Sequence, residues 1–214
     1  HWISHWADWH GARTAVHFEG RDISYGEMDG RVRRLAAMLQ QELAVGKGDR
    51  VAHLGYNSPE LLELLFACAR LGAMLVPLNW RLAPPEHAWI LQNCDPKAIL
   101  AEVDFFDHLD GLRQELPGLR MLSYGPAPGA DWHSYEELLE KAGQDAEGEG
   151  GRLDDPVTLV YTSGTTGRPK GTVLTQEAIF YNAVNAIAAQ EISALDHVLT
   201  VLPMFHVGGM NIQT

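Results

Sequence analysis

Eleven consecutive residues, Tyr161-Thr-Ser-Gly-Thr-Thr-Gly-Arg-Pro-Lys-Gly171, gather hydroxyls, glycines and a cation into one stretch. This is the chemistry of phosphate binding. Gly164 and Gly167 let the backbone take positive φ and approach an anion without a Cβ in the way. Successive N–H groups in such a turn form an anion-binding nest. Ser163, Thr165 and Thr166 add hydroxyls, and Lys170 adds a point charge. A Walker loop needs Gly-x4-Gly-Lys-Ser/Thr; counted from Gly164, Pro169 stands at the second glycine and Gly171 at the hydroxyl residue, so that reading fails. A lone Gly-x-x-Gly would read as a surface loop. Here the donors follow directly on the apolar run of residues 155–161, which predicts a buried strand feeding the loop.

The second candidate is His206. An apolar run at 198–202 predicts a strand ahead of it, Pro203 a break, and Gly208-Gly209 a turn after it. A lone histidine is more often a satisfied core residue than a reactive one. His1, His5 and His10 have no Cys or carboxylate cluster near them in sequence, which argues against a metal site there.

The elements that must position these residues are legible as alternating periodicities. Trp2, Trp6 and Trp9 share a helical face, which predicts a helix docked through its tryptophans. A short strand at 16–18 and a turn at 19–22 follow. Ser24 and Glu27 form a capping box for a helix carrying Met28, Val32, Leu35, Ala36, Leu39 and Leu43 on one face. Strands are predicted at 50–55, 73–77, 97–101 and 121–123. Between them lie helices starting at Pro59 and running 85–94 and 105–115, the first capped by Ser58 and stopped by Gly72. Residues 124–131 read as loop, Ser134 and Glu137 as a second capping box, and Thr175 as the start of a helix reaching about Gln190. Strands separated by helices of this length indicate an α/β fold with a mostly parallel, doubly wound sheet. A polar, Gly-rich connector at 143–155 divides a front α/β segment, 1–150, from a back segment, 151–214, that carries the phosphate loop.

The 214 residues carry a net charge of −12, which repels a polyanion and argues against a nucleic-acid partner. A local nest still holds a phosphate, because its donors act at close range. Cys68 and Cys94 are the sole cysteines and lie in apolar helical patterns, a usage that fits a reducing, cytoplasmic setting. The most apolar stretch, 61–76, contains Glu63 and Arg70, so no membrane span is expected. The first residues lack the layout of a signal peptide.

The eleven-residue loop resembles the signature loop of the adenylate-forming superfamily, which includes acyl-CoA synthetases, luciferases and the adenylation domains of peptide synthetases. The likeness extends along the chain. Gly46-Lys-Gly-Asp-Arg-Val-Ala with Asn57-Ser-Pro-Glu60 is similar to the family's early strand-to-helix stretch, Leu71-Gly-Ala-Met-Leu-Val-Pro-Leu-Asn79 to its next strand, and Leu202-Pro-Met-Phe-His-Val-Gly-Gly209 to a later motif. Asn79-Trp-Arg-Leu82 resembles bacterial fatty-acyl members, with a structural role. Gln176 departs from the His or Asn common after the loop.

The resemblance implies ATP, Mg²⁺ and coenzyme A as partners of a small carboxylic acid, through an acyl-adenylate and then an acyl-CoA thioester. It implies that Thr162 to Gly167 wrap the ATP phosphates with Lys170 assisting, that Thr166 sits near the metal, and that His206 lines the pocket of acyl group and adenylate. A fatty acid is the expected substrate; an aryl-CoA ligase, an amino-acid adenylation domain or a non-catalytic nucleotide-binding module are the alternatives. A homo-oligomer is compatible with the sequence. The family's Tyr-Gly-x-Thr-Glu motif, ribose-binding Asp, hinge and C-terminal catalytic Lys do not occur in these residues, so they are expected to be inactive by themselves.

Overall fold

The computed structural model describes residues 2–143, 146, 151–162 and 168–211. A helix, α1 (Trp2–His10), leads into a hairpin of β1 (Thr14–Phe18) and β2 (Arg21–Ser24). Its turn uses Glu19 and Gly20, both at positive φ, a pairing that matches strand twist. The turn is therefore shorter than the sequence suggests, and Arg21 and Asp22 pair as strand residues. There follow α2 (Tyr25–Leu43), β3 (Arg50–Leu54), α3 (Pro59–Leu71), β4 (Met74–Pro77), α4 (Pro84–Cys94) and β5 (Ala98–Ala101). Next come α5 (Phe106–Asp110), β6 (Arg120–Ser123), β7 (Trp132–Ser134), α6 (Tyr135–Lys141), β8 (Pro156–Thr162), β9 (Lys170–Thr175), α7 (Gln176–Gln190) and α8 (Val207–Asn211).

Local chemistry sets the boundaries. Ser24 and Glu27 form the reciprocal capping box of α2, and Ser58 caps α3 with Pro59 in its first turn. Gly72 ends α3 at φ 66. The predicted helix at 105–115 is broken instead into two 3₁₀ turns flanking the five residues of α5, where Gly111 interrupts the run.

Seven strands form one sheet in the order β7-β6-β5-β3-β4-β8-β9, parallel throughout except for the antiparallel β8–β9 pair. The fold is α/β with a mostly parallel sheet, as the alternation predicts. One core packs α2, α3 and α6 on one face through Leu35, Leu39, Leu64 and Tyr135; the other packs α4 and α5 through Ile90, Leu91, Phe106 and Leu109. The front and back segments share this sheet through β4 and β8.

Three further features depart from expectation. The tryptophan stripe of α1 docks only in part: Trp2 meets Phe66 and Phe180 and Trp6 stacks on Tyr25, while Trp9 is 72% exposed and the buried residue is Ile3. The apolar run at 198–202 is not a strand. No described strand lies beside it, and its apolar side chains are exposed, Leu199 at 79%. Lastly β9, unforeseen, turns residues 170–175 into the second arm of a hairpin. Thr172, Val173 and Thr175 carry the β-branched signal for it, diluted by Gly171.

Two imidazoles are buried in neutral form. His53 on β3 has neither ring nitrogen partnered, and burial holds it down to about 3. His87 on α4 is held down to about 4, chiefly by burial. Its Nε2 lies 3.0 Å from the Asn79 carbonyl and its Nδ1 2.8 Å from His108 Nε2. A carbonyl only accepts, so the His87 proton is on Nε2, and His108 donates to Nδ1. A folded-state value below the ordinary 6.5 means that the unfolded chain takes up protons first as pH falls. Stability is therefore full above about 6.5 and declines from there toward 4. His53→Leu should flatten this decline and leave stability at pH 8 unchanged or higher, since it removes a buried group with no partner. Urea midpoints measured from pH 8 to pH 4.5 check both statements.

Candidate functional site

Because β3, β4, β5 and β8 run parallel, their carboxyl ends share one edge of the sheet. That edge is where open α/β sheets bind ligands. After β3 come Gly55, Tyr56 and Asn57; after β4, Asn79, Trp80 and Arg81; after β5, Glu102; and β8 ends at Thr162. Strand order reverses between β3 and β5, yet that crevice is filled. The Tyr56 N–H donates to Glu102 Oε1 at 3.1 Å, and a Cβ on Gly55 would stand 3.0 Å from the same carboxylate. Burial pushes Glu102 above the usual carboxylate range. The β4–β8 side of the same edge carries the β8–β9 hairpin.

There the β8–β9 hairpin places two of the expected phosphate ligands. Thr162 and Lys170 are register partners, so they face each other across the mouth of the connecting loop. Thr162 and Lys170 are both exposed. Ser163, Gly164, Thr165, Thr166 and Gly167 lie outside the described residues. Beside this mouth the hairpin is anchored by Asn93, a residue the sequence does not single out. The Tyr161 hydroxyl donates to Asn93 Oδ1 at 2.5 Å, and its ring meets Trp89 edge-on. Burial pushes the Tyr161 phenol up to about 12, so it stays protonated as a donor. The same ring covers Gly171, where a Cβ would meet Leu159 at 2.8 Å and Tyr161 at 3.3 Å. Nothing in the sequence marks Asn93 as the partner, because it sits 68 residues earlier on α4.

Gln176 is structural. Its Nε2 donates to the Ala69 carbonyl at 2.9 Å and its N–H to Asp155, tying the start of α7 to α3 and β8. Asp155 is in turn paired with Lys47 at 2.6 Å, which holds its carboxyl below the usual range.

His206 reaches the same edge by a different route. Phe205 lies edge-on to Trp80 at 6.3 Å, and Arg81 sits 4.6 Å over the Trp80 ring and 5.9 Å from that of Phe205. His206 is exposed rather than core, and precedes α8, so Gly208-Gly209 belongs to a helix and not to the expected turn. The Gly208 N–H donates to His206 Nδ1 at 3.1 Å. An acceptor Nδ1 leaves the ring proton on Nε2, so the neutral imidazole presents an N–H donor outward. Among the described residues no group of three or more His, Cys, Asp or Glu side chains gathers to hold a metal, and Thr166 lies outside them. No described helix is long and apolar enough to cross a membrane.

Comparison with known proteins decides the family. The family model described as AMP-binding enzyme matches residues 3–214. The chain belongs to that family. Indoleacetate–CoA ligase of Aromatoleum aromaticum is 47% identical over 218 residues, covering 99% of this AMP-binding chain and 42% of that protein. The long-chain-fatty-acid–CoA ligase FadD13 of Mycobacterium tuberculosis is 35% identical over 193 residues, covering 88% of the chain and 36% of the relative. Among solved structures, the inhibitor-bound N-terminal domain of FACL13 from Mycobacterium tuberculosis superposes with a TM-score of 0.82 at 30% identity, covering 98% of this chain and 52% of that one. The chain thus spans about two fifths of the length of the curated relatives it matches.

Proposed function

We propose that this chain is the front part of an ATP-dependent carboxylate–CoA ligase working in a reducing compartment. The observation that carries the reading is the hairpin mouth, with Thr162 and Lys170 opposed at the carboxyl edge of the sheet, in a chain of the AMP-binding family. In the first half-reaction a carboxylate oxygen attacks the α-phosphorus of ATP and pyrophosphate leaves. In the second, the thiol sulfur of coenzyme A, its proton lost to solvent, attacks the acyl carbonyl carbon, and AMP departs with the electrons of the broken bond between that carbon and the phosphate oxygen.

Both reactants of the first step are anions, so the site must neutralise charge as it moves onto the leaving pyrophosphate. Lys170 and the loop hydroxyls supply fixed donors for that purpose, and bound Mg²⁺ would supply further charge neutralisation. The Nε2–H of His206 suits a donor to the acyl carboxylate or the adenylate. It is not suited to act as a base in its neutral form, because Nδ1 already accepts the Gly208 N–H.

The arylacetic relative shares more residues with the chain than the fatty-acyl one, 47% against 35%, and this favours an aryl-substituted acid. A fatty acid is the second reading, supported by FadD13 and by the similarity of residues 79–82 to fatty-acyl members. Acid-dependent ATP–pyrophosphate exchange by the complete enzyme, with indole-3-acetate, phenylacetate, benzoate and fatty acids of graded length, tests the proposal. Exchange with an arylacetate above all others is expected; no exchange with any acid refutes it. The 214 residues alone should be silent in the same assay.

Lys170→Ala should lower kcat/KM for ATP by about 10- to 100-fold, the worth of one charge-assisted hydrogen bond. Lys170 is exposed in the outermost described strand, so the melting temperature should barely move. Exchange kinetics and a melting curve on the same sample check this.

A further inference from the structure

Asn57 uses its side-chain amide twice on one distant segment. Its Nδ2 donates to the Leu202 carbonyl at 2.9 Å, and its Oδ1 accepts the Met204 N–H at 2.8 Å. The two backbone groups flank Pro203, which has no N–H of its own. The carbonyl of one residue and the N–H of the second residue on are the pair that a single residue of a neighbouring strand engages in a parallel ladder. Asn57 therefore stands in for the N–H and C=O of one strand residue, holding in place a segment that belongs to no described strand.

What the segment carries gives the contact its meaning. Met204 is buried in the core beneath, Phe205 rests against Trp80, and His206 caps α8 with its Nε2–H turned outward. Leu202 is itself exposed, so burial at that end does not fix it. The Asn57 amide gives 202–204 a polar hold at both ends. Asn57 directly follows the β3 edge residues Gly55 and Tyr56, so its position is set by the central strand of the sheet.

We propose that Asn57 is the positioning residue for His206, fixing the height and angle at which the imidazole meets the acyl substrate; this rests on the ligase reading and on His206 as a substrate donor. Among side chains short enough to replace it, only Asn offers a donor and an acceptor on one planar group. Asp keeps the acceptor for Met204 but sets a carboxylate oxygen against the Leu202 carbonyl. Ala keeps neither.

The test is a double-mutant cycle in the complete enzyme, read by acid-dependent ATP–pyrophosphate exchange. Asn57→Ala should lower kcat/KM for the acid by about tenfold or more, as small misplacements of a reacting contact do. KM for ATP should stay within about twofold of wild type, and Asn57→Asp should fall between the two. In the presence of His206→Ala, adding Asn57→Ala should cost less than about a further twofold, because one route serves both residues. Independent, multiplying losses would overturn the proposal. So would an Asn57→Ala defect that raises both KM values equally, or a His206→Ala variant with wild-type kcat/KM for the acid. If Asn57→Ala does not fold, the same cycle with Asn57→Asp decides. Absence of exchange in the wild-type enzyme with every acid would defeat the ligase reading itself, an outcome separate from all of these.

Discussion

Glu63→Ala should lower the unfolding free energy by about 3–5 kcal/mol, the usual cost of breaking a buried ion pair by removing one partner. Glu63 lies on α3, 1% exposed. Its Oε1 accepts from Arg31 Nε of α2 at 2.6 Å, and its Oε2 accepts from the hydroxyl of Tyr135 of α6 at 2.5 Å. One carboxylate thus joins the three helices on that face of the sheet. Burial pushes its pKa up against the opposing pull of Arg31. Removing it strands the fully buried Tyr135 hydroxyl and leaves Arg31 with Glu136 alone, an exposed partner that water screens. Urea unfolding followed by tryptophan fluorescence measures the loss.

The same physics sets a control that separates stability from specificity. A combined Arg31→Met, Glu63→Leu, Tyr135→Phe variant removes every buried polar partner together, so no unpaired buried charge remains and Glu136 is left in water. It should recover most of what Glu63→Ala loses, because well-packed apolar groups often match a buried ion pair. If the triple variant is as unstable as the single one, the polar network itself contributes net stability, and an uncompensated charge is not the cause.

How much of this was legible in the sequence depends on whether the signal was local. Caps and breaks are local: Ser24 with Glu27, Ser58 with Pro59, and Gly72 all act where the spacing predicts. Helix–strand alternation is also local, and it yields the parallel sheet. Residues 198–202 show the limit, since an apolar run predicts a strand only if a neighbouring strand is there to bond it. The hairpin arm β9 is not legible because its β-branched residues follow a glycine and a lysine that read as loop. For the site, Thr162, Lys170 and His206 stand at or near the carboxyl edge, whereas the residues that hold them were invisible. Asn57 bonds across 145 positions and Asn93 across 68, and no spacing rule connects side chains so far apart.

Gly209→Ala should reduce kcat/KM for the acid by roughly 100-fold in the complete enzyme, with a small change in melting temperature. A Cβ at Gly209 would stand 2.2 Å from the Pro203 carbonyl oxygen and 2.8 Å from that of Leu202. Both obstacles are backbone atoms, so no side-chain rotation relieves the overlap. The Leu202 carbonyl is also the one that Asn57 holds, so moving the segment away breaks that bond, and moving α8 away breaks the Gly208 N–H contact to His206. Either response displaces the imidazole. The global fold is little affected, because α8 is five residues long and lies outside the sheet. The contrast is Gly30→Ala in α2, where a Cβ meets nothing within 4 Å. There the same substitution should stabilise by up to about 1 kcal/mol through helix propensity and leave exchange kinetics unchanged. Equal effects at the two positions would mean that glycine at 209 serves the flexibility of the chain; loss of activity at 209 alone would mean that it serves the close approach of α8 to the segment bearing His206.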